Sequence, residues 1–237
     1  MKKNLLVSII IPCYNEVNTI GFILKKILAV KTLKKQIIVV DDGSVDRSVY
    51  FIKKNFINKI DKLIVHKSNL GKGAAIKSAI KHVKGDIIII QDADLEYYPS
   101  DYNKLIKPII NSAHKVVYGS RVLNKKRYFD DNFISSFRVF GNHMLTIFSN
   151  IVNKQNLTDA HTCYKVFHKS VFNKLNLNEK SFNFCPEVTT KISNMNVNII
   201  EVPIKYKGRD YKEGKKINFM DAFHAVFTIL KYKFFKN

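Results

Sequence analysis

The chain has 237 residues, 46% of them hydrophobic and 25% charged, enough for one large α/β domain or two small ones with a substantial buried core. Forty Lys and Arg against 19 Asp and Glu give a net charge of +21, a field that favours phosphates of nucleic acid, anionic lipid or a nucleotide substrate. Three widely spaced cysteines (Cys13, Cys163, Cys185) without a CxxC argue against a disulfide scaffold or structural zinc and fit a reducing compartment.

The abundance of Ile, Asn and Lys matches A+T-rich codon usage, a second source for the scattered lysines. Met1-Lys2-Lys3 and the apolar residues after it mimic a signal peptide. That run is short, is stopped by Pro12 and has no small-residue cleavage site, so it reads as a first strand. No stretch approaches the roughly 20 apolar residues of a membrane span, so any membrane contact would be peripheral.

In chain order, Leu5 to Ile11 is the first strand, left through Pro12-Cys13-Tyr14-Asn15-Glu16. Asn18 or Thr19 can cap a helix carrying Ile20, Ile23, Leu24, Ile27 and Leu28 at helical spacing. Gln36 to Val40 is strand two and ends in Asp41-Asp42-Gly43-Ser44, where Gly43 can take a positive φ. A helix from about Asp46 to Asn55 follows, then a short strand, Leu63 to Val65. Asn69-Leu70-Gly71-Lys72-Gly73 leads into a helix from Ala74 to Val83. Ile87 to Ile90 reads as a strand covered on both faces. Ser100 caps a helix that Pro108 should bend or end. Val116 to Tyr118 is a fifth strand, entering Gly119-Ser120-Arg121.

The second half is less regular. A helix over Phe133 to Val152, a strand near Tyr164 to Phe167, a helix over Glu187 to Met195 and a strand from Val197 to Tyr206 are expected. A charged, glycine-punctuated loop, Gly208 to Lys216, precedes a last helix from Asn218 to Phe235. Strands alternating with helices predict a mainly parallel, doubly wound sheet. In the order 3-2-1-4, strands one and four are neighbours at the switch point where open α/β sheets bind ligands.

Asp92, Asp94 and Glu96 follow the Ile87 to Ile90 strand at alternate positions. Like charges this close repel unless a cation sits between them, and hard oxygen ligands suit Mg²⁺ or Mn²⁺ with phosphate oxygens completing the shell. Taken alone the triplet is equally an acidic turn, but its place beside the Pro12 and Asp41-Asp42 loops favours the metal reading. Gly71-Lys72-Gly73 could bring N–H groups and one ammonium near a pyrophosphate, or could be a helix-entry turn. Arg121, Arg138, Arg209, Lys215 and Lys216 are candidates for clamping phosphates, although each could equally be a solvated surface charge. Cys13 has no histidine beside it and is rejected as a nucleophile. The seven histidines show no ligand spacing. The terminal helix gathers Phe223, Phe227, Leu230 and Phe234 near one face, for packing or for an anionic lipid surface.

Together, Ile11-Pro12-Cys13-Tyr14-Asn15-Glu16, Val40-Asp41-Asp42-Gly43-Ser44, Asn69 to Gly73, Asp92-Ala93-Asp94-Leu95 and Gly119-Ser120-Arg121 resemble the family 2 glycosyltransferases with the GT-A fold. The likeness is greatest to the dolichol-phosphate mannose synthase-like branch. Asp159 with Cys163-Tyr164-Lys165, Glu201-Val202-Pro203-Ile204, Arg209 and Glu213 to Lys216 extend it over nearly the whole chain. The resemblance implies one domain over 1–237, with a nucleotide-binding half (1–121), an acceptor half (122–207) and a basic loop with terminal helix (208–237). It implies a nucleotide-diphosphate sugar donor, GDP-mannose or a UDP-sugar. Pro12, Tyr14, Glu16, Asp41 and Asp42 would meet base and ribose. Asp92, Ala93, Asp94 and Glu96 would meet metal and phosphates, although the position of Glu96 is often glutamine in the mannose synthases. Lys72, Arg121, Arg138, Arg209 and Lys215 or Lys216 would contact phosphates of donor or acceptor.

The implied reaction is inverting transfer to a polyprenyl or dolichyl phosphate on the cytoplasmic membrane face. A lipid phosphate is already anionic and needs no protein base. A saccharide hydroxyl, the alternative acceptor, would need one, and Asp159 or Glu187 are the carboxylates to test. A nucleotidyltransferase lacks its glycine-rich loop here, and a nucleic-acid binding module is not expected, because the basic residues are spread out with no recognition motif.

Overall fold

The computed structural model describes residues 5–111, 113–123, 133–208 and 220–235. Its strands are β1 (Leu6–Cys13), β2 (Lys34–Asp41), β3 (Lys62–Val65), β4 (Ile87–Ile90), β5 (Val116–Ser120), β6 (Lys165–His168) and β7 (Ile199–Pro203). The helices are α1 (Ile20–Ala29), α2 (Ser48–Phe56), α3 (Lys72–Ile80), α4 (Tyr102–Ile110), α5 (Phe133–Asn153), the single turn α6 (Lys169–Phe172), α7 (Phe184–Asn194) and α8 (Met220–Phe234).

Among the described residues the seven strands form one sheet in the order β3-β2-β1-β4-β6-β5-β7. The β3-β2-β1-β4 half is parallel and has the order expected from the sequence. β6 is inserted between β4 and β5 and runs antiparallel to both, while β7 returns parallel to β5. Helices cover both faces, which is why the four isoleucines of β4 are all buried. Successive residues of β1 and β4 divide between two cores. Ile9, Ile11 and Ile89 pack with Ile23 and Ile27 of α1 and with Leu105 and Ile109 of α4. Ile10, Ile88 and Ile90 pack with Ile76 of α3 and with Val188 and Ile192 of α7. Each fully buried isoleucine contributes about 2–3 kcal/mol of transfer free energy.

Several local expectations shift. Ser100 lies in a 3₁₀ turn (Pro99–Asp101) ahead of α4, and Pro108 is held within α4, which ends two residues later. The Phe223 and Phe227 side of α8 faces outward; the helix packs instead through Ala225, Thr228, Ile229 and Tyr232. No helix among the described residues is long and apolar enough to cross a membrane.

Candidate functional site

The carboxyl ends of β1, β2 and β4 meet because the strands are parallel neighbours. Cys13 pairs in register with Asp41, and Ile10 with Ile90. The two loops that leave β1 and β2 are stitched together. Asp42 N–H donates to the Cys13 carbonyl (2.8 Å), Asn15 N–H to Ser44 Oγ (2.9 Å) and Val45 N–H to Asn15 Oδ1 (2.9 Å). Glu16 is buried, and its carboxylate accepts the Thr19 hydroxyl at 2.6 Å. Pro12, Tyr14, Glu16, Asp41 and Asp42 therefore share one edge with Asp92, Ala93 and Asp94, as the sequence suggested. Burial pushes the Cys13 thiol up, with Asp41 and Glu16 adding to the effect, in keeping with its rejection as a nucleophile.

The two aspartates after β2 differ. Asp42 accepts N–H groups from Leu70 (3.0 Å) and Gly71 (2.7 Å), and His66 Nδ1 lies 2.6 Å from its Oδ1. His66 Nε2 lies 2.8 Å from Ser78 Oγ, so this histidine ties the β2 loop to α3. Asp41 Oδ1 accepts the Ser44 N–H (2.9 Å), whereas its Oδ2 is buried with no hydrogen-bond partner among the described residues. An unpaired buried acceptor costs about 1–3 kcal/mol, which a ligand donor would recover.

Gly71-Lys72-Gly73 is a helix-entry turn, and the Gly71 N–H at its start is already taken. Gly71 donates to Asp42, and Ala74 N–H donates to the Lys180 carbonyl (3.1 Å). The glycines are required by crowding: a Cβ on Gly71 (φ +96) would lie 2.3 Å from the Lys180 oxygen, and one on Gly73 2.1 Å from the Glu179 oxygen. Gly71→Ala is expected to cost about 1–3 kcal/mol or more, read as a lower urea midpoint. An unchanged midpoint would contradict this packing. What reaches the strand ends is the Lys72 side chain, whose ammonium pairs with Asp92. Burial opposes that charge, but the attraction of Asp92 and its hydrogen bond, together with the nearby Cys163 and Cys185, raise the lysine above its ordinary value.

The acidic loop is joined to the far side of the sheet. Asp94 Oδ1 accepts the Glu96 N–H (3.2 Å). Glu96 accepts the Tyr206 hydroxyl (3.0 Å), and its carbonyl accepts Lys207 N–H (3.0 Å). The Arg121 guanidinium lies 5.2 Å from the centre of the Tyr206 ring. Its Nε and Nη2 both donate to Asp159 at 2.7 Å, and the Arg121 backbone N–H adds a third bond at 3.1 Å. Burial pushes the Asp159 carboxyl up, but the Arg121 charge and hydrogen bonds prevail and hold it below the usual carboxylate value. Behind this pair, Glu201 accepts N–H groups from Thr158 (2.7 Å) and Asp159 (2.8 Å).

Glu187 is fully buried one layer back. It accepts N–H groups from Asn178 (2.6 Å) and Glu179 (3.0 Å) and pairs with Lys191 (2.7 Å). Its carboxylate thus supports the segment that seats on Gly71 and Gly73. Gln91, which carried no signal in the sequence, is buried at the end of β4, and its carbonyl oxygen accepts the hydroxyls of Tyr102 (3.0 Å) and Tyr164 (2.9 Å). The Arg138 side chain and Arg209, Lys215 and Lys216 lie outside the described residues.

Asp92 and Asp94 supply hard oxygens two residues apart on one loop, a donor set that fits Mg²⁺ or Mn²⁺. No group of three His, Cys, Asp or Glu side chains able to hold an ion occurs among the described residues, and Glu96, expected as a third ligand, accepts the Tyr206 hydroxyl. An ion entering there would take Asp92 from Lys72.

Residues 8–175 match the model of Glycosyl transferase family 2. UDP-N-acetylglucosamine–dolichyl-phosphate N-acetylglucosaminyltransferase of Methanococcus voltae is 30% identical over 246 residues, covering 96% of this chain and 96% of its own. A dolichyl-phosphate beta-glucosyltransferase of Trichomonas vaginalis is 24% identical over 250 residues, covering 99% of this chain and 75% of its own. The crystal structure of glucosyl-3-phosphoglycerate synthase from Mycobacterium tuberculosis with Mn²⁺, UDP and glucosyl-3-phosphoglycerate superposes with a TM-score of 0.72. It is 14% identical and covers 98% of this chain and 81% of that one, a likeness of fold: the GT-A fold. The chain belongs to glycosyl transferase family 2, and within it resembles the dolichol-phosphate sugar synthase-like branch.

Proposed function

We propose that this glycosyltransferase moves a sugar from a nucleotide-diphosphate donor to a polyprenyl phosphate, with inversion at the anomeric carbon. The observation that carries the choice of acceptor is the state of the two carboxylates offered as bases. Asp159 gives both oxygens to Arg121 and is held low, and Glu187 is spent on two backbone N–H groups and Lys191. A saccharide hydroxyl needs a base within hydrogen-bond reach, whereas a phosphate monoester is anionic at neutral pH. The names of the relatives, dolichyl-phosphate transferases of N-acetylglucosamine and glucose, support the same acceptor. The first of these names, which includes UDP-N-acetylglucosamine, favours a UDP-sugar over GDP-mannose.

In this reading Asp41 Oδ2 accepts an N–H of the base, and Glu16 and Tyr14 line the ribose. Asp42 keeps the 66–71 segment in place beneath them. Asp92 and Asp94 would hold the divalent ion, which when bound would neutralise charge on the leaving diphosphate. The Lys72 ammonium, beside Asp92, would add positive charge near the diphosphate. Arg121, kept in one orientation by Asp159 and the Tyr206 ring, lends positive charge at the β5 end of the site. Glu96 holds Tyr206 against that guanidinium. Arg138, Arg209 and Lys215 or Lys216 complete the phosphate contacts. Residues 1–121 serve the donor and 122–207 the acceptor.

The apolar faces of α5 and α8 would lie against an anionic membrane surface on its cytoplasmic side. Phe140, Met144, Ile147 and Ile151 form an exposed apolar stripe on α5, and Phe223, Phe227 and Phe234 are exposed on the neighbouring α8. Lys231 and Lys233 turn instead to the protein body, bonding to Glu179 and to Ser193 Oγ, both at 3.0 Å, so the outward face of α8 is apolar.

Incubation with labelled UDP-N-acetylglucosamine, UDP-glucose and GDP-mannose, each with polyprenyl phosphate or with saccharide acceptors and Mn²⁺ or Mg²⁺, tests the proposal. Labelled lipid phosphosugar is expected from a uridine donor. Product on saccharides alone would overturn the acceptor, and product from GDP-mannose alone would overturn the donor.

A further inference from the structure

After the four isoleucines of β4 the chain places a polar residue, Gln91, in a position that is fully buried. A buried amide costs free energy unless its hydrogen bonds are made, and here all of them are. Its Nε2 donates to the Asp92 carbonyl at 3.0 Å and lies 3.5 Å from the Tyr97 carbonyl. Its Oε1 accepts the hydroxyls of Tyr102, which opens α4, and of Tyr164, just ahead of β6. The orientation of the amide follows from chemistry, because the two backbone carbonyls can only accept. Its backbone N–H donates to Ile10 of β1 at 2.9 Å, so the residue is anchored to the sheet. The two carbonyls that converge on Nε2 are the two ends of the loop 92–97, and Asp94 lies between them. Leu95 within that loop has φ +65, a left-handed conformation that a bulky side chain takes only where its surroundings impose it.

We propose that Gln91 is a positioning residue for the divalent ion: by closing the neck of the 92–97 loop, its amide fixes the backbone that presents the Asp92 and Asp94 carboxylates. The inference rests on the assignment of the ion to that pair. Gln91 itself would touch neither ion nor donor. Its effect is to order the loop when the protein folds, so that ion binding need not supply that ordering. Partners that orient metal ligands in this way typically contribute about 10–100-fold in affinity. The two tyrosine hydroxyls serve the same end from the other side of the amide, holding its oxygen so that Nε2 stays on the carbonyls.

Isothermal titration of the full chain with Mn²⁺ in the presence of UDP tests this without any transfer step. Gln91→Met keeps the length of the side chain and removes the amide. It should bind Mn²⁺ about tenfold or more weakly than the parent. Gln91→Asn, whose amide is a methylene short of both carbonyls, should show the same loss and serves if Gln91→Met does not fold. Ile106→Ala, a truncation in the buried face of α4, lowers the thermal midpoint, and none of the amide's hydrogen bonds involves it. It should bind Mn²⁺ as the parent does. In transfer assays the Mn²⁺ needed for half-maximal rate should rise in the Gln91 variants, and excess Mn²⁺ should restore the rate. Parental Mn²⁺ affinity in the Gln91 variants, or an equal loss in Ile106→Ala, would overturn the proposal. Asp94→Asn separates it from the reading on which it rests. Weak binding there beside parental binding by the Gln91 variants overturns the role of Gln91 alone, whereas parental binding by Asp94→Asn overturns the ion site and the role of Gln91 with it.

Discussion

Asp94→Asn is expected to lower sugar transfer by about 10²–10³-fold or more while leaving thermal unfolding close to that of the parent chain. The substitution removes one anionic oxygen from the pair that would face the divalent ion, yet it keeps the size of the side chain. A carboxamide oxygen can still accept the Glu96 N–H that Asp94 Oδ1 holds at 3.2 Å. The loss should therefore fall on transfer and not on the fold. Isothermal titration of Mn²⁺ in the presence of UDP gives a second readout, in which the variant should bind at least about tenfold more weakly, a loss of about 1.4 kcal/mol. Near-parental transfer by Asp94→Asn would remove the ion from the centre of the site.

Asp159→Ala carries the largest expected effect on stability, about 3–5 kcal/mol, because it leaves the Arg121 guanidinium in a largely buried place without its partner. Three hydrogen bonds go at once, two from the guanidinium and one from the Arg121 backbone. The Glu201 contact to the backbone of residue 159 would remain. The urea midpoint should fall with an unchanged slope. The effect also has a pH signature. Asp159 is held below the ordinary 3.8, so its contribution is complete above that value and is lost as pH falls through the lower folded value. The gap between parent and variant should accordingly be constant from about pH 5 to 7 and shrink below about pH 4. A variant within 1 kcal/mol of the parent would show that the pair is not the clasp described here.

The donor side of the molecule was legible in the chain because it rests on local patterns. The Ile87 to Ile90 run could only be a strand covered on both sides, and it lies between β1 and β6 with every side chain buried. The loops after β1, β2 and β4 converge because crossover connections make their strands parallel neighbours. Contacts distant in sequence were not legible. Nothing in a four-residue segment that begins with a lysine says that β6 will be inserted antiparallel between β4 and β5. Lys165 is nevertheless fully buried, its ammonium donating to the Ala160 carbonyl at 3.1 Å and lying 3.5 Å from the centre of the Tyr118 ring. Arg121 and Asp159 were each singled out, one as a phosphate clamp and the other as a base, but their mutual pairing spans 38 positions. Gly71 and Gly73 allowed a helix-entry turn or a phosphate cradle; the structure has the turn, but the 179–180 backbone that crowds them comes from the other half of the chain and was not legible. On α8 the aromatic face could serve packing or a lipid surface by its sequence, and it is the Ala225–Ile229–Tyr232 face that does the packing.

The claim that most needs direct measurement is that the acceptor brings its own negative charge to a site in which Asp159 and Glu187 are already engaged. Transfer of labelled sugar to a short polyprenyl phosphate should be compared with transfer to the neutral polyprenol of the same length, at saturating UDP-sugar and Mn²⁺. The phosphate should accept sugar, and the alcohol should be slower by at least about 100-fold, the usual contribution of a general base. Comparable rates on both acceptors would contradict the account, since the polyprenol hydroxyl would then be losing its proton to a base that neither Asp159 nor Glu187 is placed to be.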